Sequence, residues 1–167
     1  MSPSTTDCVI GLGSNLGDRE ETLRLAVAEL GALGEVTAVS ALYETDPVGP
    51  PQPSYLNAAV RLLTRLDLPR LLEALLAIER RFGRERRERW GARIVDLDIL
   101  WASVGVFESE MLEVPHPRLK ERAFALLPLL DVAPEATDPR SGEPYAAALE
   151  RCTRKGAREL ARLWMRA

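Results

Sequence analysis

Two aspartates, Asp96 and Asp98, are separated by one residue within an otherwise apolar segment. In a β-strand successive side chains alternate between the two faces, so both carboxylates point to one side and Leu97 to the other. Neighbouring carboxylates repel each other and are costly to bury unless a cation lies between them. Mg²⁺ prefers such oxygen ligands and completes its coordination with phosphate oxygens and water. The pair is therefore a candidate metal site, and two solvated surface aspartates are the alternative interpretation.

The segment that precedes this pair is strongly basic. From Arg80 to Arg93 there are seven arginines and two glutamates, in a chain whose net charge is −3. A planar guanidinium group binds phosphate through two N–H donors at once, which lysine does not do. A GC-rich genome would also raise the arginine content, but it would not concentrate arginine here. A carboxylate pair beside an arginine cluster predicts a site for a magnesium-bound nucleotide.

Other polar residues are candidates for binding. Tyr55 and Asn57 share one face of a predicted strand, where an aromatic ring beside an amide suits a flat heterocycle; an ordinary exposed pair is the alternative. His116 is the only histidine. It stands between two prolines and precedes Arg118 and Arg122, so it is either a phosphate donor or a structural residue.

The glycines near the amino terminus favour a structural interpretation. Gly11, Gly13 and Gly17 have the spacing G-x-G-x-x-x-G, which is neither the dinucleotide-binding pattern nor a P-loop. We therefore predict that Ser14 and Asn15 form a tight turn in which their side chains hydrogen-bond to the neighbouring backbone.

Six segments are predicted to position these side chains. Their order is βαββαβ, which is typical of the ferredoxin-like fold, an α+β fold with an antiparallel sheet flanked by helices. A short apolar helix (Ala123–Val132) and a terminal amphipathic helix (Lys155–Met165) are predicted to follow. The six segments are a strand at Cys8–Ser14, a helix at Arg19–Leu33, strands at Val36–Thr45 and Tyr55–Arg65, a helix at Pro69–Phe82 and a strand at Ile94–Trp101.

The length of 167 residues predicts a single domain, 1–167, with a catalytic core at about 8–135 and a peripheral segment at 136–167. No apolar run approaches the ~20 residues of a membrane span, and no signal peptide is evident, so we expect a cytoplasmic protein without a membrane partner. The acidic balance and the 5% aromatic content argue against nucleic acid as a partner. Cys8 and Cys152 are expected to be reduced thiols.

Four motifs carry a resemblance to a known family. They are Gly13-Ser14-Asn15-Leu16, Tyr55-Leu56-Asn57-Ala58-Ala59, Arg89-Trp90-Gly91-Ala92-Arg93 continuing to Asp96-Leu97-Asp98-Ile99, and Val114-Pro115-His116-Pro117-Arg118. Together, over about residues 8–135, they resemble hydroxymethyldihydropterin pyrophosphokinase of folate biosynthesis. The resemblance implies a ferredoxin-like fold, ATP as co-substrate and two Mg²⁺ ions. It also implies transfer of the β,γ-diphosphate of ATP to the hydroxymethyl oxygen of 6-hydroxymethyl-7,8-dihydropterin, with release of AMP, by a chain that we expect to be a monomer.

The same resemblance implies a role for each matching position. Asp96 and Asp98 would hold the metal ions and, with Arg84 and Arg93, form the catalytic set. Tyr55 and Phe124 would sandwich the pterin, while Asn57 and the segment from Thr45 to Val48 would contact its edge. The ATP site would comprise Glu79, Arg84, Arg86, Arg93, Ile99, His116 and Arg122.

Two long connections, 46–54 and 83–92, are predicted to close over bound substrates and exclude water. Two functions of other classes compete with this hypothesis. A single-stranded RNA-binding module would place strand aromatics against bases, but the aromatic content is low. A degenerate homologue that serves only as a scaffold is the third hypothesis, and the intact Asp96, Asp98, Tyr55, Asn57 and Phe124 argue against it.

Overall fold

The computed structural model describes residues 4–46, 51–83, 95–154, 156–161 and 164. Several predicted site residues lie outside these ranges, namely Val48, Arg84, Arg86 and Arg93. Most of the arginine-rich segment and parts of both long connections lie outside them as well. The predictions made for these positions stay predictions.

The described elements follow the predicted order βαββαβ, with one predicted strand divided in two. After the βαββαβ unit come two short strands, a turn of 3₁₀ helix, two helices and a last strand. In chain order these are β1 (Thr6–Ser14), α1 (Arg19–Leu30), β2 (Gly34–Val39), β3 (Leu42–Thr45), β4 (Tyr55–Thr64), α2 (Leu68–Gly83), β5 (Asp96–Ala102), β6 (Phe107–Glu108), β7 (Glu113–Val114), the 3₁₀ turn (Leu119–Glu121), α3 (Ala123–Val132), α4 (Tyr145–Glu150) and β8 (Ala157–Ala161).

The main sheet has the strand order β5-β1-β4-β3-β8, and β2 also pairs with β4. Every strand pair in the described part of the chain is antiparallel, as predicted. The long strand β4 pairs with β2 along its second half and with β3 at its start, from Tyr55 to Asn57. This arrangement places β4 at the centre of the sheet and β1 between β5, which carries the aspartates, and β4, which carries Asn57.

The predicted single strand Val36–Thr45 is interrupted at Ser40 and Ala41. The Ser40 hydroxyl accepts a hydrogen bond from the Ala59 backbone N–H at 2.8 Å, so a side chain replaces one rung of the ladder. The Ala41 N–H instead donates to the carboxylate of Asp131 on α3 at 3.0 Å. These bonds satisfy the backbone at the break and separate β2 from β3.

Helices cover both faces of the sheet. The helices α1 and α2 place regularly spaced leucines against one face, together with β-strand residues such as Ile10 and Leu62. The helices α3 and α4 pack on the opposite face, where Leu126 and Tyr145 contact a smaller apolar cluster that includes Val9. The alternation of side chains along β1 therefore supplies two separate cores.

The predicted terminal helix at Lys155–Met165 is wrong. Ala157–Ala161 forms β8, which pairs with β3, and Trp164 is 5% exposed within the main core. The indole N–H of Trp164 donates to the carbonyl of Ser40 at 2.9 Å. A helical pattern of charged and apolar residues was overridden by pairing with an available strand edge. Residues 136–167, expected to be peripheral, thus supply an edge strand and a core side chain.

Both cysteines are free thiols, as expected, and burial raises the pKa of the Cys8 thiol to about 12. Within the described ranges, no helix combines the length and the apolar character needed to cross a membrane.

Candidate active site

A cavity of about 320 Å³ opens at one end of the sheet, between β5, β1, β4 and the start of α3. Seven of the predicted site residues line it, and they include predicted metal ligands as well as predicted pterin contacts. These are Asp96 and Asp98, predicted to hold metal; Thr45, Tyr55, Asn57 and Phe124, predicted to hold the pterin; and Arg122, predicted to bind phosphate.

The register of the sheet explains why these residues meet. Gly13 of β1 lies opposite Asp96 on one side and Asn57 on the other. Gly11 lies opposite Asp98 in the same way. Directly opposed residues in an antiparallel sheet point to the same face, so the carboxylates and the amide lie across a strip of β1 that bears no side chain. The prediction that the two aspartates share a face is confirmed.

The two glycines form the floor of the cavity. A Cβ atom added to Gly13 would lie 3.2 Å from Oδ1 of Asn57, and one added to Gly11 would lie 3.0 Å from Cδ1 of Leu100. The sequence analysis assigns Gly11 and Gly13 to the strand Cys8–Ser14 and predicts a tight turn at Ser14 and Asn15, so it does not identify this role. The informative signal was their spacing, because glycines two apart within one strand clear a single face.

The predicted side-chain to backbone bonds of Ser14 and Asn15 are absent from the described residues. The Asn15 amide instead donates to Oε1 of Gln52 at 3.1 Å and so links the end of β1 to the segment before β4. Ser14 Oγ and Asn15 Oδ1 are buried and have no hydrogen-bond partner among the described residues. Since Gln52 lines the cavity, this turn supports the site wall.

The predicted pterin end of the cavity is built around a buried hydrogen bond. The Asn57 amide donates to the Thr45 hydroxyl at 2.7 Å, which fixes the orientation of both side chains. Two aromatic rings also line the cavity, Tyr55 at the start of β4 and Phe124 in the first turn of α3. The guanidinium carbon of Arg122 lies 5.5 Å from the centre of the Phe124 ring, a distance that permits a cation–π interaction.

The strand that carries the aspartates is fixed from the side of α2. Glu79 Oε2 accepts a hydrogen bond from the Leu97 N–H at 2.7 Å, between the two aspartates. Glu79, predicted to lie near the nucleotide, therefore holds the backbone of β5 and does not line the cavity. Ile99 is 3% exposed and belongs to the main core, so its side chain does not face the cavity either.

His116 lies outside the wall of this cavity but is electrostatically close to it. Its backbone N–H donates to the Leu100 carbonyl at 3.0 Å, and its Nδ1 accepts from the Arg118 N–H at 3.2 Å. Nδ1 is therefore an acceptor, and the proton of the neutral ring lies on Nε2. Burial lowers the pKa of His116, although the nearby Asp98 carboxylate opposes this shift. The ring is thus neutral at pH 7, with one N–H to donate.

The donor set at the acidic end suits a hard cation. Among the described residues, no group of three or more histidine, cysteine or acidic side chains is arranged to hold a metal ion. Two carboxylates on one strand, half-buried Asp96 and exposed Asp98, remain as the candidate ligands. Mg²⁺ commonly takes one or two carboxylates and fills its other positions with water and phosphate oxygens, so these residues fit that ion.

Comparison with known proteins agrees with this geometry. A sequence model of the family described as 7,8-dihydro-6-hydroxymethylpterin-pyrophosphokinase matches residues 9–134. A Synechocystis protein named 2-amino-4-hydroxy-6-hydroxymethyldihydropteridine pyrophosphokinase is 43% identical over 149 residues, which cover 87% of this chain and 76% of the relative. A Bacillus subtilis protein of the same name is 52% identical over 126 residues, which cover 74% and 75% of the two chains.

The fold has solved counterparts. A crystal structure of Plasmodium falciparum HPPK-DHPS with pteroate superimposes with a TM-score of 0.70 at 15% identity, covering 90% of this chain and 43% of that longer chain. The ferredoxin-like prediction is thereby confirmed. The family model and the two relatives confirm the family resemblance seen in the four motifs. This chain belongs to the 7,8-dihydro-6-hydroxymethylpterin-pyrophosphokinase family.

Proposed function

We propose that this enzyme transfers the β,γ-diphosphate of ATP to the hydroxymethyl oxygen of 6-hydroxymethyl-7,8-dihydropterin in folate synthesis, releasing AMP, and that the cavity is its active site. One observation carries the proposal. A single cavity joins a carboxylate pair, suited to metal and phosphate, to two aromatic rings and an amide, suited to a flat heterocycle. Neither half alone would distinguish this activity from nucleotide or heterocycle binding.

The pterin end is argued from shape and from hydrogen-bonding capacity. Tyr55 and Phe124 offer ring faces, and a pterin ring between them would gain the stacking contacts that aromatic groups favour. Asn57 and Thr45 supply polar atoms at fixed positions, which suits the alternating donors and acceptors along a pterin edge. The cavity volume of about 320 Å³ falls within the range of small-molecule sites.

The acidic end is argued from charge. Asp96 and Asp98 would hold Mg²⁺, with two ions expected, because an uncompensated carboxylate pair next to a triphosphate would repel it. Mg²⁺ held by these residues would neutralise phosphate charge and would lower the pKa of the attacking hydroxyl. Glu79 keeps the two carboxylates in register with the glycine floor by holding the Leu97 N–H.

Positive charge would complete the phosphate site. Arg122 lines the cavity, and His116 offers a neutral N–H donor. Arg84, Arg86 and Arg93 stay predicted phosphate ligands. Diphosphate transfer requires little covalent chemistry from the protein, so the described residues would act by positioning the reactants and balancing their charge.

The decisive experiment combines the chain with ATP, Mg²⁺ and 6-hydroxymethyl-7,8-dihydropterin and follows AMP by chromatography. AMP is expected to form only when all three are present, together with an equal amount of diphosphorylated pterin. A reaction without pterin controls for hydrolysis of ATP, and added chelator should stop the reaction. Pterin binding without AMP would indicate the scaffold hypothesis. RNA binding that weakens steeply with salt, again without AMP, would indicate the RNA-binding hypothesis.

We further propose that the enzyme acts as a monomer in the cytoplasm. Light scattering coupled to gel filtration tests the first of these proposals, since a mass near 18.5 kDa is expected. Fractionation of the native host tests the second.

A further inference from the structure

Beneath the site wall, Glu44 of β3 lies between two arginines from distant parts of the chain. Arg19, the first residue of α1, places Nη2 3.2 Å from Glu44 Oε2. Arg158 of β8 contacts the other carboxylate oxygen of Glu44. The Glu44 side chain is only 17% exposed, so this carboxylate is largely surrounded by its partners and neighbouring chain. The hydrogen bond from Arg158, with that from Arg19, lowers the pKa of the Glu44 carboxyl.

The same two arginines also hold the two ends of the connection between β3 and β4. Arg158 Nη1 lies 3.4 Å from Oδ1 of Asp46, at the start of that connection. Arg19 Nη1 donates to the carbonyl of Ser54, at its end, at 2.6 Å. Glu44 is therefore the shared partner of two arginines that each fix one end.

Glu44 lies on the opposite side of the sheet from the cavity, and neither Arg19 nor Arg158 lines the cavity. Side chains alternate along β3, so Thr45 points into the cavity wall while Glu44 points the other way. There, Glu44 borders a second hollow of about 360 Å³, together with Arg19 and Ser54. The network therefore supports the wall from behind and leaves the substrate face clear.

The residues that it holds are those that line the predicted pterin end. Asp46 lines the cavity, and so do Thr45 and Tyr55, which are the direct chain neighbours of Glu44 and Ser54. The Asp46 N–H also donates to the carbonyl of Gly156 at 2.9 Å, just before β8. A shift of β8 would therefore move one side of the wall.

The Arg158 side chain is half-exposed, and an ion pair with an exposed partner usually adds little to the free energy of unfolding, so this network is better explained by what it positions. We infer that Glu44, Arg19 and Arg158 form a positioning network that sets the pterin-binding wall, and that β8 thereby contributes to substrate affinity. None of the described residues of β8 lines the cavity, so the effect is indirect. The inference rests on the proposed function, since it assigns the affected substrate.

Substitution of Arg158 tests the inference through steady-state kinetics. In Arg158→Ala the KM for the pterin should rise about fivefold, the factor that matches a strong exposed ion pair, while kcat and the KM for ATP stay within about twofold. Binding lost equally in the ground and transition states raises KM without changing kcat. Arg158→Lys keeps the charge and should recover part of the affinity. Arg154→Ala, at an exposed arginine for which the described residues provide no ion pair, should match wild type.

A double-mutant cycle distinguishes a network from separate contacts. Glu44→Gln should raise the pterin KM by a similar factor, and the double variant should raise it by less than the product of the two single effects, because both changes break the Glu44–Arg158 contact. Fully additive effects would overturn the network. Thermal unfolding of each variant shows whether the pterin KM changes without general loss of structure, and Arg158→Gln replaces Arg158→Ala if the latter does not fold.

The outcomes separate this inference from the proposed function. Wild-type enzyme that forms no AMP contradicts the proposed function, and calorimetric titration of wild type and variants with pterin alone then decides the inference. If wild type is active and Arg158→Ala leaves the pterin KM unchanged, or raises both KM values alike, the inference is wrong and the proposed function stands.

Discussion

The two faces of the main sheet differ in how far their apolar covering extends. On the face covered by α1 and α2, apolar side chains run along β1 from Cys8 to Leu12 and meet a continuous core. On the face covered by α3 and α4, the apolar cluster includes Val9 but gives way to Gly11 and Gly13. One strand, β1, therefore contributes both to the hydrophobic core and to the candidate site. The apolar covering of the second face ends where β1 carries glycines, which have no side chain.

The largest expected effect comes from removing a charge at the cavity, where the apolar covering of the second face ends. Asp98→Asn should lower kcat on the order of 10²-fold or more, ~3 kcal/mol, as losing a preorganised electrostatic group usually does. AMP release at saturating Mg²⁺ measures this change. Glu73→Gln, at an exposed position of α2, is a matched loss of one carboxylate and should retain full activity. A kcat of Asp98→Asn within twofold of wild type would contradict the metal-site hypothesis.

A substitution in the continuous core between the sheet and helices α1 and α2 should lower stability without changing catalysis. Leu30 of α1 is fully buried in the main core. Leu30→Ala should lower the free energy of unfolding by about 3 kcal/mol, because it removes apolar contacts and leaves a cavity. Urea unfolding measures the loss, and kinetics below the unfolding transition should show unchanged KM values. A large change in the pterin KM would contradict the claim that this face of the sheet contributes to stability but not to substrate binding.

Filling the glycine floor should reduce affinity without reducing stability. In Gly13→Ala the new methyl group lies within a tight contact of Asn57, which must move and disturb its bond to Thr45. The pterin KM should rise by about tenfold, ~1.4 kcal/mol. The free energy of unfolding should change little, since alanine also lowers the entropy of the unfolded chain. Gly31→Ala, where the methyl group meets a contact of the same 3.2 Å at the end of α1 and outside the cavity lining, is the control; equal KM values for the two variants would refute the role of the floor.

The smallest expected effect is the pH dependence of the Glu44 contribution to stability. Arg158 and Arg19 lower the pKa of this carboxyl below its ordinary value of 4.5. The folded protein thus binds the proton less readily than the unfolded chain, so the stabilisation is present above about pH 4.5 and is lost as the pH falls through the folded pKa. The difference in free energy of unfolding between wild type and Glu44→Gln should shrink below about pH 4.5. A difference in free energy of unfolding that grows as the pH falls would contradict this prediction.

Local rules explain which parts of the site could be predicted from the sequence. Asp96 with Asp98, and Tyr55 with Asn57, each depend only on alternation within one strand, so their shared faces were predictable. Which strands are neighbours is a tertiary property, and therefore the glycine floor between these pairs was missed. The family resemblance supplied Phe124 and Arg122, whose place at the cavity depends on the packing of α3.

Long-range contacts account for most of what was missed. The Asn15–Gln52 bond joins residues 37 apart, and the Glu44–Arg158 contact joins residues 114 apart. In neither pair does the sequence around one residue indicate which residue is its partner. The same reason explains the misassigned carboxyl-terminal segment, because only the free edge of β3 selects a strand over a helix there.

The position of Trp164 has a practical consequence for anyone who shortens or extends this chain. Its indole lies in the main core, three residues before the last residue of the printed sequence, and its N–H donates to the Ser40 carbonyl at the interruption between β2 and β3. A truncation placed at the family boundary near residue 134 would therefore leave a hole in the hydrophobic interior and expose an unpaired strand edge to other molecules. An affinity tag or fusion partner placed after Trp164 should be joined through a spacer, so that the indole can still pack in the main core.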